Sequence, residues 1–326
     1  MTVAAPVEYV TLEAIRAAER RIAGVAVRTP LLPADELSEA LGAMVFVKPE
    51  SLQRIGAFKL RGAYNFVAQL GPAAAGGVIT YSSGNHGQAV AWAARRFGLR
   101  AVIVMPETVT AAKRSGVERL GGEVVLAGRT SQDRYEKAMA LAASEGLVVV
   151  PPYEHPAIIA GQGTVGLEIV EDCGDVRTVI VPVGGGGLSA GVATAVKALR
   201  PEAHIVTVEP EGAGKLARSF AEHRRVVLEK TGSIADGLIT LSVGGLDYEH
   251  LVRAVTRAVT VSDDAMRQTV RYALERLKLV LEPSGVATLA WLRQQPKGSL
   301  TGPVVCVLSG GNIDWEGLVG LLGGSA

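Results

Sequence analysis

The sequence has only two cysteines, Cys173 and Cys306, and this scarcity excludes a disulfide-stabilised framework. Their spacing does not match a zinc-binding motif either. Both residues lie in or beside apolar runs of the sequence. We therefore predict that both are buried and act as small hydrophobic side chains.

An excess of charge of either sign is also missing. The 326 residues include 33 Lys and Arg against 32 Asp and Glu, a net charge of +1. This balance provides no general attraction to nucleic acid or to an anionic membrane, so neither partner is expected.

Long hydrophobic runs and targeting signals are equally absent. The uncharged stretch 178–196 contains Pro182 and four consecutive glycines, which argues against a membrane helix. The first ten residues lack the basic and then apolar pattern of a signal peptide. We expect a soluble, cytoplasmic protein.

What the chain does have is glycine: 39 of 326 residues, or about 12%, against an average of about 7%. Many of these glycines stand in tight clusters, which suggests places where the backbone approaches a ligand.

Short β-branched runs alternate with amphipathic segments such as 88–97 and 190–199. The predicted strands are 44–48, 78–82, 101–105, 123–126, 147–150, 178–183, 205–209 and 304–308. This alternation predicts an α/β protein with parallel-rich open sheets flanked by helices. Eight strands suit two domains better than one, and we place soft boundaries near Ser51 and Pro151.

Ligands of such folds bind at the carboxyl ends of the strands, so the loops that follow the strands are informative. After strand 78–82 come Ser83, Gly84, Asn85 and His86, at the start of a helix. Hydroxyl and amide groups at a helix N-terminus favour a bound carboxylate or phosphate. A plain helix cap with glycines for turn geometry explains the same residues.

After strand 178–183 comes a segment that we call the glycine loop, Gly184, Gly185, Gly186 and Gly187. Four glycines expose their amide N–H groups, which is the chemistry of phosphate binding, although a simple flexible turn remains an alternative. The Gly-Lys-Ser/Thr ending of a nucleotide P-loop is missing.

A dinucleotide-binding fold also competes at this loop. Gly185, Gly187 and Ala190 fit the loosened Gly-x-Gly-x-x-Gly/Ala pattern, and Glu209 at the end of the next strand could hold a ribose.

Two more residues are candidates for chemistry. Ser309 follows strand 304–308 and precedes two glycines, so its hydroxyl could reach a buried heterocyclic nitrogen or simply lie in a turn. Lys59 opens a helical pattern, where a positive helix end and partial burial would both lower its pKa. A neutral amine is what Schiff-base chemistry requires, whereas an ordinary lysine here would extend to solvent.

The combination of these segments resembles the fold-type II pyridoxal-phosphate enzymes, within them the threonine/serine dehydratase and serine racemase group. The matching segments, in chain order, are Phe58-Lys59 with Arg61-Gly62, Ser82-Ser83-Gly84-Asn85-His86-Gly87, Pro151-Pro152-Tyr153-Glu154-His155-Pro156, Ala160-Gly161-Gln162-Gly163-Thr164, the glycine loop, Ile234-Ala235-Asp236-Gly237 and Ser309-Gly310-Gly311-Asn312. The resemblance covers nearly the whole chain. It implies the tryptophan synthase β-like fold, with a large cofactor-binding domain formed by 1–50 and 151–326 and a small domain formed by 51–150.

The resemblance also implies a role for each matching residue. Pyridoxal 5′-phosphate would be bound covalently to Lys59, packed by Phe58 and hydrogen-bonded by Asn85. Its phosphate would be held by the glycine loop and Leu188, and its pyridine nitrogen would face Ser309. The residues around the substrate carboxylate would be Ser82, Ser83, Asn85 and His86, with Lys59 and Ser83 as the catalytic groups.

The implied activity is β-elimination of water from a β-hydroxy amino acid. L-Threonine would give 2-oxobutanoate and ammonia, and L-serine would give pyruvate and ammonia. Serine racemase and dehydratases of hydroxyaspartate or phenylserine remain alternatives, and a non-catalytic cofactor-binding protein is an alternative of another class. The resemblance also implies a homodimer, and the short segment after Ser309 predicts no C-terminal regulatory domain.

The sequence departs from the family at a cation site. Many members bind a divalent cation through Glu-Pro-x-x-Ala-x-Asp, but Lys215 stands here where the aspartate is expected, six residues after Glu209. An ammonium repels a cation rather than binding it. We therefore predict no metal at this place and an ion pair between Lys215 and Glu209; the alternative is that Lys215 points to solvent.

Overall fold

The strands of the protein form two separate sheets. The computed structural model describes residues 9–82 and 84–323. The strands are β1 (Leu32–Pro33), β2 (Val45–Pro49), β3 (Val78–Thr80), β4 (Ala101–Met105), β5 (Glu123–Leu126), β6 (Val148–Val149), β7 (Thr178–Pro182), β8 (His204–Pro210), β9 (Arg257–Val261) and β10 (Val304–Leu308).

Helices cover the faces of these sheets. They are α1 (Leu12–Ile22), α2 (Asp35–Leu41), α3 (Lys59–Val67), α4 (Asn85–Arg96), α5 (Ala111–Arg119), α6 (Ser131–Glu145), α7 (Pro156–Asp172), α8 (Gly187–Leu199), α9 (Lys215–Ala221), α10 (Gly245–Ala254), α11 (Asp263–Tyr272), α12 (Pro283–Leu292) and α13 (Trp315–Leu322). Short 3₁₀ turns lie at Glu50–Leu52, Gly71–Ala74, Glu211–Ala213 and Asp236–Leu238, and α11 continues into a π-helical turn at Ala273–Leu277.

The larger sheet has the strand order β1-β2-β10-β7-β8-β9, and every neighbouring pair except β1 with β2 is parallel. The smaller sheet has the order β5-β4-β3-β6 and is parallel throughout. The predicted class, α/β with parallel-rich sheets flanked by helices, is confirmed.

Each sheet contains one point where the chain reverses its direction of travel across the sheet. In the larger sheet this point lies between β7 and β10, and in the smaller sheet it lies between β3 and β6. The carboxyl ends of strands at such points diverge and leave a crevice, where ligands of open α/β sheets bind. The glycine loop and Ser309 follow the first pair of strands, and residues 81–82, 84–85 and 150–152 follow the second.

The predicted strands correspond to β2, β3, β4, β5, β6, β7, β8 and β10, with three of them matching to the residue. Strand 78–82 is shorter than predicted and ends at Thr80, because the chain turns away to begin α4. Two strands were missed. Strand β1 has only two residues, one of them a proline on the sheet edge, and β9 is an edge strand with an exposed arginine at its start.

Close packing of helices fixes the position of α3. Helix α7 lies against both α3 and α8, and glycines allow the backbones to approach. A Cβ on Gly62 would lie 2.9 Å from the carbonyl oxygen of Ile158, and a Cβ on Gly161 would lie 2.7 Å from that of Arg61. Because Lys59 is the first residue of α3, this packing also fixes the base of its side chain.

Both cysteines lie in the interior of the protein. Cys173 and Cys306 are both free thiols and both buried, as predicted. Within residues 9–82 and 84–323, no helix is both long enough and apolar enough to cross a membrane.

Candidate active site

Lys59 lies at the N-terminus of α3, in the first turn as predicted, and its amine is held in place by a hydrogen bond. Lys59 Nζ donates to the carbonyl oxygen of Pro152 over 2.7 Å. The burial of this amine lowers its pKa to about 8, although the negative charge of Asp247 acts in the opposite direction. A substantial fraction of Lys59 is therefore neutral in mildly alkaline solution, as a nucleophile or base requires.

The segment before Lys59 is attached to the end of β10. Phe58 N donates to the carbonyl oxygen of Ser309 over 3.1 Å, and Ala57 forms an antiparallel bridge with Gly310. The Phe58 ring lies beside the amine, with 5.2 Å between Lys59 Nζ and the ring centroid. These contacts place an aromatic face, an amine and the Ser309 segment next to one another.

The glycine loop joins β7 to α8 and presents unpaired amide groups. Gly186 has a φ of +109°, which glycine adopts without strain. The amide N–H groups of the glycine loop and of Leu188 have no hydrogen-bond acceptor within residues 9–82 and 84–323. Together with the positive end of the α8 dipole, they form an anion-binding site.

Tyr153 connects this loop to Lys59. Its ring lies directly on Gly185, and a Cβ at Gly185 would overlap the ring. The preceding residue, Pro152, accepts the hydrogen bond from Lys59. A single turn of chain thus touches both the amine and the anion-binding loop.

Asn85 begins α4 and lies in a chain of side-chain hydrogen bonds. Its Nδ2 donates to Glu282 Oε1 over 2.6 Å, and its Oδ1 accepts from Asn312 Nδ2 over 2.7 Å. Burial, and next the charge of Asp236, raise the pKa of Glu282 to about 8, while the Asn85 hydrogen bond and Lys113 lower it. The second hydrogen on Asn85 Nδ2 remains available for a ligand.

His86 is buried, and its ring Nε2 lies 3.0 Å from the carbonyl oxygen of Val150. Burial and the nearby Lys59 charge lower the pKa of His86 to about 3, so its ring is neutral and Nε2 carries the hydrogen. An anion here would meet the amide groups at the start of α4 rather than an imidazolium. Ser82 Oγ accepts a hydrogen bond from Gly84 N over 3.4 Å, and Ser83 lies outside the described residues.

Ser309 immediately follows β10 and is almost fully buried, with 4% of its surface exposed. Its hydroxyl donates to the carbonyl oxygen of Ser284 over 3.3 Å, a long hydrogen bond. Because β10 and β7 are parallel neighbours, Ser309 and the glycine loop emerge from the same edge of the larger sheet.

The structure contains the predicted ion pair between Lys215 and Glu209. Their charged atoms are 3.0 Å apart and both side chains are fully buried. Lys215 Nζ also donates to the carbonyl oxygens of Val183, Ala213 and Leu238, at 3.1 to 3.3 Å. Since Val183 directly precedes Gly184, this ammonium supports the base of the glycine loop.

This ion pair also argues against a dinucleotide-binding site at Glu209. Glu209 accepts hydrogen bonds from the backbone amides of Leu216 and Ala217 as well as from Lys215. A carboxylate that is fully buried and occupied in this way cannot hold the ribose of a dinucleotide, so the dinucleotide interpretation is not supported.

Three groups at the site were not identified from the sequence: Tyr153 as a contact of the loop, Glu282 and Asp247. Glu282 directly precedes Pro283 at the start of α12, a position typical of a helix N-terminus. Asp247 lies in the first turn of α10, where an acidic residue is common. Both patterns suggest ordinary surface charges, whereas the structure shows both carboxyls to be buried.

An amine with a lowered pKa, an aromatic face and a glycine loop with unpaired amides therefore converge at one crevice, and this is the set of groups that a pyridoxal-phosphate site needs. In agreement, the family model described as "Pyridoxal-phosphate dependent enzyme" matches residues 22–310, and the chain belongs to this family. The predicted family and cofactor are confirmed.

Within this family, the chain is similar to several ammonia-lyases and to a serine racemase. The L-threonine ammonia-lyase of Thermotoga maritima is 39% identical, with 94% of this chain and 76% of that protein aligned. The L-threo-3-hydroxyaspartate ammonia-lyase of a Pseudomonas species is also 39% identical, with 96% and 98% aligned. The structure of maize serine racemase superposes with a TM-score of 0.89 at 34% identity, covering 97% of both chains.

The residues present fit pyridoxal phosphate. Five backbone amides at the glycine loop find no acceptor among the residues that the structure describes, which matches the need of a phosphate group. The Lys59 amine has a lowered pKa, which matches the need of an aldehyde for a neutral nucleophile. Asp247 Oδ1, buried beside the loop, also has no hydrogen-bond partner in the described part of the chain.

Proposed function

We propose that this protein is an ammonia-lyase that eliminates water from L-threonine, and also from L-serine. The products are 2-oxobutanoate or pyruvate, with ammonia in both cases. The observation that carries the proposal is the amine of Lys59, whose pKa is lowered to about 8. This amine donates to the carbonyl oxygen of Pro152, and the next residue, Tyr153, lies on the glycine loop. The names of the aligned relatives supply the substrate class.

Pyridoxal phosphate, when bound, withdraws electrons from an attached amino acid and so makes its α-hydrogen acidic. The protein has to hold the phosphate, align the substrate and move protons. In our proposal the glycine loop and Leu188 bind the phosphate, Phe58 packs on the ring, Asn85 donates to the ring oxygen and Ser309 faces the pyridine nitrogen. A serine there is neutral, unlike an aspartate, and stabilises a positive ring nitrogen less; this favours elimination over slower routes.

Lys59 is the base of this proposal. Its neutral amine removes the α-hydrogen of the substrate, and the bond between the β-carbon and its hydroxyl breaks. The hydroxyl leaves with a proton as water, and a water molecule later replaces the nitrogen, which leaves as ammonia. No net oxidation occurs, because one water is lost and one is consumed.

The substrate carboxylate would lie at the N-terminus of α4. The amide groups there, with Ser82, Ser83, Asn85 and His86, are the proposed contacts. His86 would contact the carboxylate through its backbone N–H in the first turn of α4, because its neutral ring donates the Nε2 hydrogen to Val150 and holds the loop in place.

Serine racemisation is a second candidate activity, favoured by the likeness to maize serine racemase. A racemase needs a proton donor on each face of the α-carbon. The resemblance assigns the second face to Ser83. Ser83→Ala would then reduce racemisation more than elimination, and equal losses would contradict this two-base arrangement.

We also propose a homodimer in the cytoplasm, and a division into a large domain (1–50 and 151–326) and a small domain (51–150). The two sheets support the division, because each draws its strands from one of these parts. Analytical ultracentrifugation tests the dimer, and a monomer at micromolar concentration would contradict it.

The substrate class is tested with a panel of β-hydroxy amino acids. L-Threonine, L-serine, threo-3-hydroxyaspartate and phenylserine are incubated with the holoenzyme, and ammonia, 2-oxo acid and both enantiomers are measured. We expect the highest kcat/KM for L-threonine with equal amounts of ammonia and 2-oxobutanoate. A higher value for hydroxyaspartate would contradict the proposed substrate, and no turnover of any compound would favour a non-catalytic binding protein. The matched control is Lys59→Ala, which should bind the substrates without releasing ammonia.

A further inference from the structure

Asp247 is a fully buried carboxyl group that faces the anion-binding loop. One of its oxygens, Oδ2, accepts a hydrogen bond of 2.9 Å from the backbone N–H of Glu154. The other, Oδ1, has no hydrogen-bond partner in the described part of the chain and is shielded from solvent. A buried oxygen of this kind is costly unless something else completes its hydrogen bonding.

The glycine loop lies beside this unpaired oxygen. A Cβ on Gly186 would lie 2.7 Å from Asp247 Cβ and 3.3 Å from its Cγ, and a Cβ on Gly187 would lie 3.7 Å from Oδ1. The amides of this loop have no acceptor in the described ranges 9–82 and 84–323, and none of them donates to Oδ1. The carboxyl therefore lies beside the anion site without being the anion for which the amides are arranged.

The charges around Asp247 determine its protonation. Burial first, and then the negative charge of Glu154, raise its pKa to about 8, while the backbone N–H of Glu154 and the positive charge of Lys59 lower it. The Tyr153 hydroxyl, whose pKa is raised to about 12, is neutral throughout this range. Asp247 is thus mostly protonated at neutral pH, and a protonated carboxyl has a hydrogen to donate.

We propose that Asp247 donates a hydrogen bond from its protonated carboxyl to the phosphate group held by the glycine loop, as a positioning residue for the cofactor. The inference rests on the placement of that phosphate at the glycine loop. Two anions side by side would repel each other, whereas an acid O–H and a phosphate oxygen form a strong, short hydrogen bond. Because the Asp247 carboxyl must keep its proton to donate this hydrogen bond, the affinity for the cofactor would depend on pH.

The alternative is purely structural. Asp247 could serve only to accept the hydrogen bond from the backbone N–H of Glu154, while its Oδ1 makes no contact with the phosphate. Both possibilities predict that removing the carboxyl loosens the loop, so a test needs a signal that reports the phosphate itself.

The phosphorus nucleus of bound pyridoxal phosphate gives this signal. The ³¹P chemical shift of the holoenzyme is followed from pH 5.5 to 9.5 for wild type, Asp247→Asn and Glu154→Gln. We expect a titration step in the wild type, no such step in Asp247→Asn, and a step of unchanged size at lower pH in Glu154→Gln. Superimposable curves for wild type and Asp247→Asn would overturn the proposal.

Cofactor affinity provides the second measurement. Asp247→Asn keeps an N–H donor at this position and should bind pyridoxal phosphate within about threefold of wild type at pH 7. Asp247→Ala should bind it at least tenfold more weakly, which corresponds to about 1.4 kcal/mol. Equal affinities for Ala, Asn and wild type would contradict the proposal, and the Asn variant keeps the test valid if the Ala variant does not fold.

A failure of this inference differs from a failure of the proposed function. A holoenzyme that carries the cofactor and forms 2-oxobutanoate, with no Asp247-dependent step, refutes only the role of Asp247. If the ³¹P signal shows the Asp247-dependent step but no ammonia is released, the proposed lyase activity is refuted and the contact of Asp247 with the phosphate is supported.

Discussion

The ammonium of Lys215 lies 3.0 Å from the carboxylate of Glu209, and neither side chain is exposed to solvent. Lys215 Nζ also donates to the carbonyl oxygen of Val183, the residue before the glycine loop, and to that of Leu238. A fixed positive charge thus organises the base of the anion-binding loop.

Removing this charge should destabilise the protein strongly. Lys215→Met leaves Glu209 buried without its partner, and we expect a loss of about 3–5 kcal/mol in the free energy of unfolding, measured in urea. Lys113→Met is the control, because the exposed pair of Lys113 with Asp236 should contribute less than about 1 kcal/mol. Equal losses in both variants would contradict the structural role of Lys215.

Because Lys215 is present at this place, we expect the activity and the stability of the enzyme to be independent of divalent cations. The holoenzyme should keep its activity in chelator, and added magnesium should not raise its melting temperature, because the site already contains a positive charge. Lys215→Asp replaces this charge with a carboxylate, and magnesium should then stabilise the variant by mass action. A wild-type enzyme that loses activity in chelator and regains it with magnesium would contradict this interpretation.

A methyl group at Gly62 should displace the helix that carries Lys59. Gly62→Ala places a Cβ 2.9 Å from the carbonyl oxygen of Ile158, and we expect a loss of about 1–3 kcal/mol together with reduced turnover. Gly320→Ala is the matched control, since a Cβ there meets nothing within 4 Å and alanine favours a helix. If the two variants unfold at the same urea concentration, the close packing of α3 on α7 is not important for stability.

Glu282 should make stability depend on pH. Its pKa is raised to about 8 in the folded protein, so the folded state holds a proton that the unfolded state releases above about pH 4.5. Its contribution is greatest at low pH and is lost as the pH rises toward 8. The unfolding free energy of wild type relative to Glu282→Gln should therefore fall between pH 5 and 8 in the cofactor-free protein.

The measurement is a series of urea titrations at each pH, with Glu316→Gln, which removes an exposed carboxyl, as the control. A wild-type minus Glu282→Gln difference that rises with pH would show that Glu282 is ionised in the folded state.

The sequence identified much of this site because its signals are local. An apolar strand followed by four glycines predicts β7 and the anion-binding loop, and a lysine at a helix start predicts an amine with a lowered pKa. The same holds for Ser309 after β10, since buried parallel strands have continuous β-branched runs.

The parts that were missed depend on tertiary contacts. Asp247 and Glu282 are both acidic residues at helix starts, and only the packing of α10 and α12 around the crevice shows that they are buried. The strand β1 has too few residues to show any periodicity, and it exists because β2 offers it an edge. Tyr153 was part of a matching segment, but its position on Gly185 follows from a turn that the sequence does not define.

Reduction of the holoenzyme with borohydride, followed by peptide mapping, shows which lysine carries the cofactor. Borohydride fixes the cofactor onto the lysine that bears it, and we expect one labelled peptide, containing Lys59, with no label in Lys59→Ala. A label on Lys215, Lys113 or any other lysine, with Lys59 unmodified, would contradict the assignment of the active site.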